Sequence, residues 1–505
     1  MTKSSLRTRF AFSVGSNLFR ALLSFITGML LGRFLGPENY GNMSFLIGTF
    51  MGVRQLLDMG SSTAFFTFVS QKTPTKKFVF SFFAWLLIQF LIPVIIIGIF
   101  FPIQWVHSIW HNNERFVVLL AFLATFMQNS VWPILQNSGE SQRQTHWVQG
   151  IGVIVSITHL IAVVLLWQLG KLGIYAIFIA IAIEYILASI LANKKFKYSL
   201  ETQPSESPKA LLRKYLIFCL PMIPYSILNF IFEFVDKWML QSNGGSIQQA
   251  YFAIGMQLCS IALIATTSII RIFWKEIAEA NYNGDKERMG VLYLKVSRFL
   301  FLVGSIIAGF LMPWTKEILN LILGSAYVGG AATLTIMFFY PIHQSLGQIN
   351  GTLLLATEKV KLQVICGIIF MITSIIASYF ILASKEATIP GLGLGSIGLA
   401  LKMVTMQFLE VNTISYIISR VFKWHFNWTY QFICIIGCSF IGWITYFSTT
   451  WLVGNSLPIL LEICFSGGMY LFLIGSLIYY KPQLAGITRE EIIKTKHLIF
   501  RGVFK

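Results

Sequence analysis

The chain has 505 residues, of which 56% are hydrophobic and only 11% are charged, and it contains 45 phenylalanines. This composition is too apolar for a soluble globular domain and is typical of an integral membrane protein. The formal net charge is +18, but the basic residues are spread over alternate loops, where they orient a membrane protein rather than bind nucleic acid. We therefore expect a lipid bilayer around the chain and no nucleic-acid partner.

Apolar stretches of about 20 residues recur along the whole chain, and a helix of this length crosses about 30 Å of hydrocarbon. They predict an all-α polytopic membrane protein with about fourteen transmembrane helices. In chain order, the predicted spans are 10–31, 41–66, 79–101, 115–136, 148–168, 173–193, 215–240, 250–273, 292–314, 330–355, 362–383, 396–419, 430–448 and 457–480. On this count most loop Lys and Arg residues lie on the side of the N terminus, which predicts that both termini are cytoplasmic.

The longest polar segment, residues 194–214, separates six predicted spans from the eight that follow, and it is predicted to be a cytoplasmic linker. Ser207 followed by Pro208 is typical of a helix start and predicts a short helix that leads into span seven. The tail, residues 481–505, mixes apolar and basic residues. This mixture favours an amphipathic helix on the inner leaflet, with a partly disordered basic tail as the alternative.

Span one carries polar residues spaced 4, 3, 4 and 3 apart, a pattern that places them on one face of a helix. These residues are Ser13, Asn17, Arg20, Ser24 and Thr27. Similar stripes comprise Tyr225, Asn229, Glu233 and Asp236 in span seven, and Tyr340, Gln344, Gln348 and Thr352 in span ten. Uncharged polar residues often hydrogen-bond between membrane helices. Ionisable residues need a stronger reason, because a charge at the bilayer centre costs at least about 3 kcal/mol.

Span two contains two charges, Arg54 and Asp58, which are four residues apart and therefore on the same helical face. They are predicted to pair, which would lower the cost of burying each. The pair is either purely structural or holds the guanidinium toward a cavity, where its planar donors suit a phosphate.

The carboxylates of the later spans have two interpretations. Asp236 is adjacent to Lys237, so a local ion pair is one of them. In the other, Glu233, Asp236 and Glu410 take up Na⁺ or H⁺, so that an ion gradient drives transport. The sequence has no nucleotide-binding GxxxxGKS/T motif, no HExxH motif and no Ser/His/Asp grouping. We expect neither enzymatic activity nor a cofactor.

Three stretches of the sequence resemble bacterial polysaccharide transporters of the Wzx flippase type. They are LLGRFLGPENYGNMSFL (Leu30–Leu46), FVDKWMLQSNGGSIQQAYFAIG (Phe234–Gly255) and ILNLILGSAYVGGAATLTIMFFYPIHQSLGQINGTLLLATEKVK (Ile318–Lys361). These transporters belong to the multidrug, oligosaccharidyl-lipid and polysaccharide (MOP) exporter superfamily. The resemblance implies a MATE-like fold of two six-helix lobes that face each other in a V, with two further C-terminal helices. It divides the chain into an N-lobe (1–193), the linker (194–214), a C-lobe (215–419), two added helices (420–480) and the tail (481–505).

The resemblance also implies a function in the bacterial inner membrane. The expected activity is translocation of undecaprenyl-pyrophosphate-linked oligosaccharide repeat units of O-antigen, capsule or exopolysaccharide to the outer leaflet. Related lipid II flippases use arginines of helices one, two and eight and an acidic residue of the first outer loop, and the matching positions here are Arg20, Arg54, Arg271 and Glu38. Arg271 lies near the cytoplasmic end of its span, so it is either a ligand of the pyrophosphate or a topology anchor.

The remaining site residues follow from the polar stripes. Asn17, Ser24 and Asp58 are expected to support the arginines, and Tyr340, Gln344 and Gln348 to contact sugar. Possible protein partners are a polysaccharide polymerase and its chain-length machinery. The competing functions are a cation-coupled multidrug exporter of the same superfamily, which the arginines disfavour, and a membrane-embedded glycan polymerase or acyltransferase.

Overall fold

Helices form all of the regular secondary structure in the described part of the chain, which in this computed structural model comprises residues 6–71, 76–195, 208–454 and 457–486. Within these residues, ten helices are long and apolar enough to cross a membrane. The number is eleven if the bent pair Arg213–Cys219 and Met222–Leu263 forms one span. The prediction of an all-α polytopic protein is confirmed, whereas the number of fourteen spans stays a prediction.

The described residues up to Tyr282 form ten α-helices. They are α1 (Leu6–Asp58), α2 (Ser61–Gln71), α3 (Lys76–Ile95), α4 (Ile103–Ile109), α5 (Arg115–Phe126), α6 (Trp132–Ser141), α7 (Thr145–Gln168), α8 (Ile174–Lys195), α9 (Pro208–Cys219) and α10 (Met222–Tyr282). A π-helical turn, Ile96–Phe100, extends α3, and another, Met127–Val131, joins α5 to α6. Pro208, the first described residue after the linker gap at 196–207, lies in helix α9, so the predicted helix start stays a prediction.

The described residues from Lys286 onward form eight α-helices. They are α11 (Lys286–Leu311), α12 (Thr315–Leu323), α13 (Ala331–Met337), α14 (Tyr340–Ala356), α15 (Val360–Leu382), α16 (Gly395–Phe422), α17 (Trp428–Val453) and α18 (Ile459–Tyr480). Short 3-10 helices occupy Ser325–Gly330 and Pro482–Ala485. The predicted tail helix falls on residues 487–505, which lie outside the described residues.

Helices α1 and α10 are each interrupted by one glycine. At 1.5 Å per residue, helices of 53 and 61 residues would be roughly 80 and 90 Å long, far longer than a bilayer is thick. Gly36 (φ 71°, ψ 168°) and Gly245 (φ 75°, ψ 177°) adopt left-handed conformations that only glycine tolerates without strain. Predicted spans one and two lie on either side of Gly36, and spans seven and eight on either side of Gly245.

The chain divides into two units, one extending to Ala250 and including Leu382–Gly391, the other comprising Tyr251–Ile381 and the chain from Leu392. The first half of α10 therefore belongs to the first unit, whereas the predicted lobes divide at the linker. The lobe boundaries stay a prediction. In the second unit, α11 packs against α14 and α17.

Glycines of α1 form its contact with the first half of α10. A Cβ atom at Gly41 would lie 1.7 Å from the carbonyl oxygen of Ser246, and one at Gly48 would lie 2.5 Å from Cδ of Lys237. At Gly41 the neighbour is backbone, so only glycine permits this approach, whereas at Gly48 the Lys237 side chain would have to move. Small residues commonly allow such close packing between membrane helices.

Candidate functional site

Arg20 lies at the contact between α1 and α7. Its guanidinium covers Gly152, where a Cβ atom would lie 2.9 Å from the Cζ atom of Arg20. The Nε atom is buried and has no hydrogen-bond partner among the described residues. Guanidinium groups are obligatory donors, and burying one unsatisfied is costly. The position therefore suits an acceptor that the described residues do not supply.

Polar residues of α6, α7 and α8 surround Arg20. Glu140 and Tyr185 act on the guanidinium electrostatically. Gln149, which is fully buried, donates from Nε2 to the carboxylate of Glu140 at 2.6 Å and lies 3.5 Å from the hydroxyl of Ser13. We call Arg20, Glu140, Gln149 and Tyr185 the Arg20 cluster. It combines one cation with one carboxylate inside the helical part of the first unit.

Arg54 is the second arginine of α1, and its Nε atom is also buried without a hydrogen-bond partner among the described residues. Asp58 acts on it electrostatically, but no ion pair joins the two described side chains. Instead, Asp58 accepts hydrogen bonds from the Ser61 hydroxyl at 2.9 Å and the Ser62 amide at 3.0 Å. The predicted pairing is absent because Asp58 instead accepts from one backbone amide and from serine hydroxyls at the start of α2, as an acidic residue at a helix N-terminus commonly does.

The other predicted residues of α1 differ in burial. Asn17, Ser24 and Glu38 are exposed. Thr27 is buried, and its hydroxyl donates to the carbonyl of Leu23 at 2.8 Å. The Thr27 hydroxyl is therefore hydrogen-bonded within α1, as is common for threonine in a membrane helix.

The predicted ion-coupling residues of α10 have partners. Glu233 accepts a hydrogen bond from Lys237 at 2.5 Å, one turn later in the helix. Lys237 therefore has Glu233 as its ion-pair partner. Asp236 also has an interaction in the structure. Their proposed roles in ion coupling stay predictions.

Four of the predicted site residues in the second unit are half-buried. The predicted sugar contacts Tyr340, Gln344 and Gln348 are half-buried on α14, and Glu410 is half-buried on α16. The structure does not describe the side chain of Arg271, so its predicted role stays a prediction. Within the described residues, no group of three or more His, Cys, Asp or Glu side chains could hold a metal ion.

A buried hydrogen-bond network lies on the other face of α14. Asn350 donates to the Ser415 hydroxyl at 2.8 Å and accepts from the Tyr293 hydroxyl at 2.8 Å. Nearby, Gln431 donates to Asn412 at 2.8 Å. This network joins α11, α14, α16 and α17 through neutral groups. Neither the network nor the positions of Glu140 and Tyr185 beside Arg20 could be predicted from the sequence, because their partners are distant along the chain.

Known proteins resemble this chain in sequence family and in fold. Residues 6–273 match the family model described as polysaccharide biosynthesis protein. The structure of the lipid II flippase MurJ in an inward closed conformation is similar over 94% of this chain and 100% of that chain, with a TM-score of 0.69 and 15% identity. No sequence among the curated proteins matches the chain significantly.

Transporters of the MOP superfamily share the same fold. An inward-facing multidrug resistance MATE transporter matches 80% of this chain and 96% of its own, with a TM-score of 0.58 and 14% identity. A MOP transporter from Pyrococcus furiosus, whose binding pocket is described as reversed in polarity, matches 82% of this chain and 95% of its own, with a TM-score of 0.52 and 13% identity. At these identities the likeness concerns the fold. Because the family model covers more than half of the sequence, the chain belongs to the polysaccharide biosynthesis protein family, and it has the fold of MOP-superfamily transporters.

Proposed function

We propose that the chain is a flippase that moves undecaprenyl-pyrophosphate-linked oligosaccharide repeat units from the cytoplasmic to the outer leaflet of the bacterial inner membrane. The observation that supports this most strongly is the pair of buried, unsatisfied guanidinium Nε atoms on α1, those of Arg20 and Arg54. A pyrophosphate needs fixed cations to replace its hydration inside a low-dielectric environment, and arginine can bind it through two parallel hydrogen bonds. Membership of the polysaccharide biosynthesis family makes such a lipid-linked anion the natural substrate class.

The positions of the two arginines along α1 suit a single anion. Each lies roughly 25 Å along the helix from Gly36, on opposite sides of it. If the two halves of α1 cross the bilayer in opposite directions, both guanidinium groups lie at similar depth. A pyrophosphate with two phosphoryl groups could then be held by both, while the polyprenyl chain remains in lipid.

The transport cycle would follow alternating access, with the headgroup bound first from the cytoplasmic side and released outside. Asn17, Ser24, Glu38 and Asp58 would support the headgroup site, and Tyr340, Gln344 and Gln348 would contact sugar. Arg271 would be a third ligand of the pyrophosphate or an anchor. Coupling to Na⁺ or H⁺ through Glu233, Asp236 or Glu410 is part of this proposal, as is delivery of the glycan to a polymerase and its chain-length machinery.

The experiment is a transport assay in host cells that lack the native gene and carry Arg20→Gln, Arg54→Gln or the double variant. We expect each single change to reduce surface glycan at least about tenfold, because losing one charged hydrogen-bonding partner costs roughly 1.5–3 kcal/mol. Arg420→Gln is the control, since Arg420 is exposed and donates to the Tyr416 hydroxyl at 2.8 Å. Full transport by the double variant, at normal membrane abundance, would refute the arginine site.

The alternative is a cation-coupled multidrug exporter, because a MATE transporter shares the fold. Cationic drugs would favour carboxylates over unsatisfied arginines. In a drug-efflux assay, the flippase proposal predicts no efflux above that of cells without the protein. Efflux that is abolished by replacing Glu233 or Glu410 and is unaffected by the arginine variants would favour the drug exporter.

A further inference from the structure

Helices α7 and α8 carry a pair of ionisable residues that the flippase proposal does not use. His159 Nδ1 on α7 lies 2.9 Å from Glu184 Oε2 on α8, and the two side chains are only 18% and 12% exposed. Both atoms are buried, and neither has a hydrogen bond to any other described residue. Each of these two atoms therefore has the other as its polar partner. Ionisable side chains within membrane spans are costly, and they often take part in the binding or transfer of protons.

This pair lies on the face of α7 that contacts Arg20. The guanidinium of Arg20 covers Gly152, which precedes His159 by seven residues, or two helical turns. Ser156 lies between them on the same face, and its hydroxyl donates to the carbonyl of Gly152 at 3.1 Å. His159 is therefore on the Arg20 side of α7, roughly 10 Å further along the helix.

Helix α1 runs beside α7 at this level as well. The rings of Phe12 and His146 lie 4.6 Å apart near the start of the contact, and those of Phe34 and Trp167 stack at 4.2 Å near its end. His159 lies between these two ring contacts along α7, and α8 packs against the same helix. The pair is therefore placed beside the helix that carries both arginines of the proposed headgroup site.

The charges of the helices around α7 largely offset one another. The helices packed against α7 are α1, α6 and α8, and their titratable groups near this face are Arg20, Glu140, Glu184 and Tyr185. Tyr185 is an electrostatic neighbour of both Arg20 and Glu184, and Glu140 is an electrostatic neighbour of Arg20. Since Arg20 and Glu140 carry opposite charges, the net charge of this region depends on the pair of His159 and Glu184.

The net charge of the pair depends on one proton. Without this proton, the imidazole is neutral and the carboxylate carries a full negative charge. With it, the net charge is zero, whether the proton lies on nitrogen or on oxygen. Histidine is the side chain that changes its charge between pH 5 and 8. A negative charge roughly 10 Å from a bound anion in a protein interior weakens the binding of that anion about tenfold.

We propose that His159 and Glu184 form a proton-binding site that controls the affinity of the Arg20 cluster for the pyrophosphate headgroup. Uptake of one proton removes the negative charge of the pair and strengthens binding of the headgroup. By linkage, a bound headgroup favours uptake of the proton to the same extent. This inference rests on the proposed headgroup site, and it adds a residue pair of the first unit to the candidates for proton coupling.

The test measures the affinity of the purified, detergent-solubilised protein for a farnesyl-pyrophosphoryl monosaccharide by isothermal titration calorimetry at pH 6 and pH 8. This probe is a diester of pyrophosphate, so its own charge is the same at both pH values. We expect the wild type to bind it about tenfold more tightly at pH 6, because the pair is then protonated. His159→Gln should bind weakly at both pH values, since Glu184 keeps its charge. Glu184→Gln should bind tightly at both.

Opposite shifts in the two variants are the decisive result, because loss of a merely structural pair would change the affinity in the same direction in both. His146→Gln is the matched control and should keep the pH dependence of the wild type, since His146 is exposed near the start of the same helix. The double variant His159→Gln/Glu184→Gln should bind tightly at both pH values. Its two amides can pair with each other, so it serves if a single variant fails to fold.

Three results would overturn the proton site. They are an equal affinity of the wild type at both pH values, an unchanged pH dependence in both single variants, and an equal loss of affinity in both. The flippase proposal survives each of them if Arg20→Gln still abolishes binding of the probe. A wild type that does not bind the probe at either pH would overturn the headgroup site and the proton site together.

Discussion

The Arg20 cluster and the hydrogen-bond network around Asn350 are both buried and polar, but their donors and acceptors are satisfied to different extents. The side-chain amide of Asn350 donates to the Ser415 hydroxyl and accepts from the Tyr293 hydroxyl, both at 2.8 Å. Arg20 leaves Nε unsatisfied although Glu140 is an electrostatic neighbour. Neutral groups that satisfy one another stabilise helix packing. A buried cation with an unsatisfied donor instead suits a bound anion, which is the basis of the proposed substrate site.

The largest effect on stability is expected at the network. Asn350→Ala removes hydrogen bonds to two buried hydroxyls and leaves Tyr293 without its acceptor. We expect the free energy of unfolding to fall by about 2–4 kcal/mol, because each unsatisfied buried group costs roughly 1–3 kcal/mol. Thermal unfolding in detergent measures the loss, and transport per folded molecule should be unchanged. Unchanged stability would show that the network is not structural.

A smaller effect, on transport rather than stability, is expected at Gly152. A Cβ atom there would lie 2.9 Å from Cζ of Arg20, so Gly152→Ala must displace the guanidinium. We expect roughly tenfold slower transport, which corresponds to about 1.4 kcal/mol. Gly150→Ala on the same helix is the control, since no atom lies within 4 Å of the added methyl group. Equal transport by the two variants would mean that the guanidinium position is unimportant.

The ion pair of α10 should contribute less to stability than either site. The side chains of Lys237 and Glu233 are 23% and 42% exposed, and exposed pairs stabilise by about 1 kcal/mol at most. We expect Glu233→Gln to change the melting temperature little.

The same variant tests ion coupling if an imposed Na⁺ or H⁺ gradient drives transport. A gradient dependence that survives replacing Glu233, Asp236 and Glu410 together would refute coupling at these residues.

The smallest effect is expected from His111, in the turn between α4 and α5. Its ring contacts those of Phe45 and Trp238, with centroids 5.4 and 6.0 Å away. Burial lowers the pKa of His111, and a backbone hydrogen bond with Trp238 partly opposes this shift. The unfolded chain therefore binds a proton more readily, so this contribution to stability is present above the ordinary histidine pKa of about 6.5 and is lost as pH falls.

The variant His111→Asn isolates this contribution, because asparagine does not titrate and tolerates the left-handed backbone at this position (φ 48°). Melting temperatures measured between pH 7.5 and 5 should fall further in the wild type than in the variant. A parallel decline in both proteins would show that His111 does not contribute.

Much of the fold is predictable because it depends on local properties of the chain. The apolar runs predict the helices, and the breaks at Gly36 and Gly245 fall between predicted spans. The division into two units is less predictable, since the first half of α10 joins the first unit through glycine contacts that no local pattern indicates.

The candidate site is only partly predictable. Arg20 and Arg54 stand out because a charge in an apolar span needs a reason. The partner of Asp58, by contrast, depends on where the next helix begins, and the start of α2 changes it from Arg54 to Ser61 and Ser62. Glu140 and Tyr185 reach Arg20 only through the packing of α6 and α8, which spacing along α1 cannot reveal.

The most direct test of the central claim is native mass spectrometry of the protein purified from its own host in mild detergent, comparing wild type with Arg20→Ala/Arg54→Ala. We expect the wild-type protein to carry a bound species with the mass of a polyprenyl-pyrophosphate glycan. The Arg20→Ala/Arg54→Ala variant should lose it. The same glycan lipid bound equally to both proteins would contradict the arginine site. Ordinary phospholipids alone on both, from a host that makes the glycan, would contradict the proposed substrate.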